Sequence, residues 1–83
     1  MRYCELFALR IRNLCHERGI TINKLATFSG LKQSTINNII SGVSRNPSAR
    51  TLHMIATAFN MTLSEFLDFK ELNNYSFDEE EAE

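Results

Sequence analysis

The chain has 83 residues, 43% of them hydrophobic and 23% charged, with three Gly, one Pro and no Trp. This length excludes two independent cores and leaves one domain burying roughly 60% of its unfolded surface, while the apolar content argues against wholesale disorder. The net charge of −1 conceals a split: residues 1–63 set eight Lys and Arg against two acids (+6), and residues 64–83 set one Lys against eight acids (−7).

A polyanionic partner therefore suits the first part of the chain. No apolar run approaches the ~18 residues of a membrane span, and Met1-Arg2 leads into no signal-like stretch. A cytoplasmic protein with no membrane partner is expected.

In chain order, Tyr3 to Arg18 predicts a first helix, with Cys4, Phe7, Ala8, Ile11, Leu14 and Cys15 recurring at helical spacing on one face. Leu6 and Leu9 fall off that face. They are expected either as peripheral packing, against Phe69, Leu72, Tyr75 or Phe77, or as part of a dimer contact. Cys4 and Cys15 lie about three turns apart on one helix, too far at ~1.5 Å per residue for a disulfide, so both are expected as reduced core residues.

Gly19 ends this helix, and Thr21 is placed to cap a second, from Ile22 to Phe28, which buries Leu25 and Ala26. Ser29-Gly30 forms a turn, and a third helix follows from Lys32 to Ser41 with Ile36 and Ile39 inward. After the turn-rich loop 42-GVSRNPS-48, Pro47 and Ser48 open a fourth helix reaching Phe59, with Leu52, Ile55, Ala56 and Phe59 inside.

Asn60 stands where a left-handed residue is needed. In 62-TLSE-65, Thr62 and Glu65 form a capping box that starts a fifth helix carrying Leu63, Phe66 and Leu67. No stretch alternates with period two long enough for a strand. The expected fold is all-α with five helices over residues 1–72. From residue 73, NNYSFDEEEAE lacks periodicity and is expected as an acidic, disordered tail over 73–83.

Catalysis finds no support, because the chain has neither a Gly-rich phosphate loop nor a credible nucleophile–base pair. His16, His53, Cys4 and Cys15 lack metal-ligand spacing, and adjacent Cys15 and His16 point ~100° apart on a helix. No enzyme activity, metal or cofactor is expected.

The informative pattern is Ala26-x3-Gly30-Leu31-x4-Ile36-x2-Ile39. Two short helices crossing steeply need a small residue at their contact, supplied by Ala26, and a residue comfortable at positive φ in the connection, supplied by Gly30. Leu31, Ile36 and Ile39 anchor the second helix and leave the face of Gln33, Ser34, Asn37 and Asn38 free.

With these residues, with 10-RIRNL-14 and 18-RGIT-21, and with 42-GVSRNPSARTLHMIATAFNMTLSEFL-67, the sequence resembles the helix-turn-helix family of phage repressors (Cro-type) and Xre-type bacterial regulators across residues 7–68. The resemblance implies a five-helix lambda-repressor-like domain that binds double-stranded operator DNA, palindromic and bound by a homodimer. It places base reading on Gln33, Ser34 and Asn38, with Asn37 beside them. It places phosphate contacts on Thr21 to Asn23 and on Ser44, Arg45 and Asn46.

The reading face is neutral, which suits adenine, since Asn and Gln pair bidentately with its N6 and N7. The phosphate charge is expected from Lys32 and Arg45, with Arg10 or Arg12 as further sources. The resemblance also puts Phe66, Phe69 and Leu72 forward as a dimer interface.

The chain departs from the family pattern at Ile22, where a phosphate-holding Gln is common, and at Lys32, where a capping Ser or Thr is usual. It departs again at Cys15 with Lys24, where an Arg–Glu pair is common, and at apolar Ile40. The expected function is a transcriptional regulator, a repressor, with an antitoxin or other protein-interaction module gripping its partner through the acidic tail, Tyr75 and Phe77 as the alternative.

Overall fold

The computed structural model describes residues 2–79, and all regular structure among them is helical. The helices are α1 (Tyr3–Arg18), α2 (Ile22–Ser29), α3 (Gln33–Ser41), α4 (Ala49–Ala58), α5 (Leu63–Leu67) and α6 (Lys70–Asn73), followed by a 3-10 turn over Phe77–Glu79. The expected all-α architecture is observed, with the short α6 added after the five expected helices. Glu80, Glu81 and Glu83, part of the expected acidic tail, lie outside the described residues.

Local chemistry sets most helix ends. Thr21, Ser48 and Thr62 each accept a first-turn amide, from Lys24, Thr51 and Glu65, at 3.1 Å in all three cases. The Glu65 carboxylate in turn accepts the Thr62 amide at 2.8 Å, completing the capping box. Ser48 thereby lies outside α4, which starts at Ala49, one residue later than Ser48 in the sequence reading.

Asn60 has φ 59°, as its position predicted. Gly30 joins α2 to α3 at φ 74°, and a Cβ there would meet nothing within 4 Å. Glycine is thus required at this turn by backbone conformation, not by lack of room.

Packing follows the apolar faces. α1 packs on α3, α2 on both α3 and α4, and α4 on α5. Phe7, Ile11 and Leu14 of α1 meet Leu25, Ile36, Ile39, Leu52, Ile55, Phe59 and Phe66 in one core.

Leu6 differs from its expected peripheral place, being 1% exposed. It sits one turn before Arg10, whose guanidinium covers Phe69 at 5.1 Å, so this side of α1 faces the C-terminal helices. Cys15 is buried as expected, while Cys4 is half-buried, and both are free thiols.

Two arginines tie α1 to distant carbonyls. Arg10 donates from Nε to the Phe66 carbonyl (2.9 Å) and from Nη2 to that of Glu65 (3.0 Å). Arg18 donates to the Phe59 carbonyl at 2.6 Å. Those oxygens belong to the ends of α5 and α4, where helical carbonyls lack intrahelical donors and a cation complements the helix dipole. At the start of α1, Tyr3 contacts the rings of Phe7, Tyr75 and Phe77 at centroid separations of 5.6, 5.1 and 5.3 Å.

Candidate nucleic-acid interface

α3 is amphipathic in the sense its sequence demands. Ile36 and Ile39 are 0% and 1% exposed, whereas Gln33, Ser34, Asn37 and Asn38 are all exposed. At ~100° per residue, positions 33, 34, 37 and 38 occupy one continuous outward arc. Among the described residues none of these four side chains makes a hydrogen bond within the protein, so their amide and hydroxyl groups are available to base edges.

Ser29 stabilises the angle between α2 and α3, a role the sequence reading missed. Its buried hydroxyl donates to the Ala26 carbonyl (3.1 Å) and accepts the Leu31 amide (3.2 Å), so one side chain satisfies two backbone groups at the turn. The signal was present as a Ser immediately before the turn glycine, where a hydroxyl can mimic a backbone turn.

Lys32 precedes α3 and forms no side-chain cap, as the departure from the family pattern predicted. Its exposed ammonium and the uncapped first-turn amides lie at the same helix end, an arrangement that favours an anion. Thr21 and Asn23 are exposed at the start of α2. The Thr21 oxygen accepts the Lys24 amide, which leaves its hydroxyl hydrogen free to donate outward.

On the other side, the loop after α3 holds exposed Arg45 and Asn46 with half-buried Ser44. The Ser44 amide donates to the Asn38 carbonyl at 2.9 Å and folds this loop against the C-terminal half of α3.

Other residues depart from their expected uses. Arg10 is engaged with α5, which removes it as a phosphate donor, and Arg12 makes a longer bond to the Ile40 carbonyl at 3.4 Å. Ile22 and Ile40 are half-buried against the core.

The Cys15–Lys24 departure leaves no stranded charge. Burial pushes the Cys15 thiol above its ordinary range and keeps it neutral, and the Lys24 ammonium lies 5.8 Å from the Phe28 ring centroid. Of the three residues put forward for a dimer contact, Phe66 is 0% and Phe69 8% exposed within a single chain, packed in the core and against Arg10. Of those three, only Leu72 retains partial exposure.

Among the described residues, no three His, Cys, Asp or Glu side chains come together to hold a metal ion, and no helix is long and apolar enough to cross a membrane.

Comparison with known proteins places this geometry in context. A family model described as a Cro/C1-type HTH DNA-binding domain matches residues 10–71. The chain is 32% identical over 66 residues to the SPbeta prophage-derived uncharacterized HTH-type transcriptional regulator YopS of Bacillus subtilis (strain 168), covering 80% of this chain and 89% of that protein. It is 35% identical over 57 residues to the HTH-type transcriptional repressor RghR of the same organism, covering 69% of this chain and 42% of RghR. The chain thus spans less than half the length of RghR. Among solved structures, the crystal structure of the prophage Lp1 protein 11 superposes with a TM-score of 0.79 at 29% identity, over 90% of this chain and all of that one.

Proposed function

The chain belongs to the Cro/C1-type helix-turn-helix DNA-binding domain family, and on that premise we propose that it is a sequence-specific transcriptional regulator, a repressor, that lays α3 in the major groove of double-stranded DNA. The observation that carries this reading is the outward arc of Gln33, Ser34, Asn37 and Asn38, whose side chains make no hydrogen bond among the described residues, on a helix whose other side is locked in the core. Asn and Gln on such an arc favour adenine, and Ser adapts to several bases.

Phosphates on one side of the groove meet Thr21, Asn23, Lys32 and the first-turn amides of α3. Those on the other side meet Ser44, Arg45 and Asn46. This division gives position from the backbone and sequence from the bases. The regulator acts in the cytoplasm as a homodimer, with two recognition helices about 34 Å apart on one face of a palindromic operator. Occlusion of a promoter by the bound dimer is then sufficient for repression.

Selection of bound sequences from a random duplex pool tests the proposal. The expected result is an enriched site with adenines at the positions under α3, repeated as an inverted pair one helical turn apart. A pool that leaves selection unenriched refutes sequence-specific binding.

A second reading has one observation in its favour. Phe77, on the acidic C-terminal segment, is 65% exposed although it touches Tyr3, which suits a grip on a protein partner such as a toxin. Loss of partner capture on removing residues 73–83, with DNA selection unchanged, would identify that use.

A further inference from the structure

α1 presents an outward stripe on which exposed Glu5 and Arg12 flank half-buried Leu9, at the i, i+4, i+7 spacing that places residues on one helix face. Together with Cys4, buried Ala8 and Ile39, Ile40, Ser41 and Gly42 of α3 and its end, they line a groove of about 290 Å³. Leu9, Cys4 and Ile40 are half-buried, and Val43, the next residue along the loop, is 72% exposed.

The charges on this stripe have a symmetry of their own. Glu5 and Arg12 carry opposite signs seven residues apart, about 10.5 Å along the axis at 1.5 Å per residue. Near the midpoint between them lies half-buried Leu9. If a second α1 lies antiparallel across a two-fold axis at that midpoint, Glu5 of each copy faces Arg12 of the other, and the two Leu9 side chains meet near the centre. An isologous interface requires this self-complementarity.

Neither charged group is strongly held within the chain. Glu5 accepts the Arg2 amide at 3.4 Å and Arg12 donates to the Ile40 carbonyl at 3.4 Å, both at the long limit for a hydrogen bond.

We propose that this groove is the self-association face, in which a second copy of the chain docks α1 antiparallel on α1 with reciprocal Glu5–Arg12 pairs around a Leu9 centre. The proposal rests on the two-fold reading above and replaces Phe66 and Phe69, which are buried, as the location of the contact. The groove's lining reaches the C-terminal end of α3 and includes none of Gln33, Ser34, Asn37 and Asn38, so on this proposal association and base reading draw on different residues.

Charge exchange tests it, with oligomeric mass read by sedimentation equilibrium on the full chain. Glu5→Arg and Arg12→Glu, each alone, set like charges across the axis and should each weaken dimerisation by about tenfold or more. The double variant restores opposite signs and should regain most of the parent's association. Leu9→Lys places two ammonium groups near the axis and should leave a monomer. Thermal melts identify any variant that fails to fold.

Three results overturn the assignment: a monomeric parent, single variants as dimeric as the parent, or a folded double variant no more dimeric than the singles. The sequence selection described above reads the other proposal separately. An inverted-pair site bound by a dimer insensitive to these exchanges keeps the regulator and removes this face.

Discussion

Arg10 offers the most direct test of how the fold divides its cations between structure and DNA. Arg10→Ala removes two hydrogen bonds from a charged donor to backbone carbonyls, at 2.9 and 3.0 Å, and a guanidinium 5.1 Å from the Phe69 ring centroid. The part-buried bond to Phe66 is worth ~1.5 kcal/mol as a charged interaction, and the exposed bond to Glu65 ~1 kcal/mol. The closer ring contact adds ~0.7 kcal/mol at this exposure, and the packed aliphatic stem ~1 kcal/mol.

Freeing the side chain returns ~2 kcal/mol of rotamer entropy, which leaves a net loss of about 2 kcal/mol. For a domain of this size that lowers the melting temperature by ~8–16 °C. Arg10→Lys keeps the charge but loses the planar fork that reaches both carbonyls, so about half the loss is expected.

The assay pairs thermal melts with the salt dependence of binding to a selected DNA site. Because the guanidinium is engaged by α5, the salt slope of Arg10→Lys should equal that of the parent. An Arg10→Ala melt within ~2 °C of the parent, together with a shallower salt slope, would refute the reasoning and return Arg10 to the phosphate contacts.

Arg45 is exposed in the loop after α3, so Arg45→Ala should weaken binding to all sequences alike and reduce the log–log salt slope by about 0.9; an unchanged slope excludes a phosphate contact. Gln33→Ala and Asn38→Ala should each relax preference at particular base pairs by ~1–3 kcal/mol, whereas equal losses on every sequence would remove them from base reading. The Thr62 amide, and then its hydroxyl, hold the Glu65 carboxyl below its ordinary value. Its stabilising contribution is therefore fully present above the unfolded value of 4.5 and is lost as pH falls through the folded one. Melts of the parent and Glu65→Gln should differ at neutral pH and converge in acid, and a constant difference would count against the charge. Burial raises the Cys15 thiol and shields it, so alkylation should label half-buried Cys4 first and reach Cys15 only through global unfolding; equal rates measured by mass mapping would contradict this.

What could be read from sequence follows the range of the interactions. The caps at Thr21 and Thr62, the partner role of Glu65 and the positive φ of Asn60 depend on neighbours within three or four residues, so spacing alone exposes them. The free arc of α3 was legible for the same reason, since Ile36 and Ile39 fix which side faces inward.

Arg10 and Arg18 were not legible, because their acceptors are 56 and 41 residues away and are backbone oxygens, which carry no residue-type signature. Leu6 was misplaced for a related reason. The helical wheel of α1 sets Leu6 off the face toward α2–α4, and packing against the chain's C-terminal part was among its expected uses, but the wheel does not show how deeply that contact buries it. The burial of the aromatic residues put forward for dimer contact was not legible either, since it follows from how much of its own interior a chain this short must fill with Phe66 and Phe69.

The bond from the Ser44 amide to the Asn38 carbonyl joins the loop to α3 through main-chain atoms alone. Among the described residues, no side chain at 33, 34, 37 or 38 makes a hydrogen bond that holds α3, the loop or the turn in place. These four positions can therefore be exchanged without removing a hydrogen bond from the mounting that presents them. On the proposed reading, a lineage, or a designer, redirects such a protein to a new operator through four surface residues while the hydrogen bonds of the domain stay as they were.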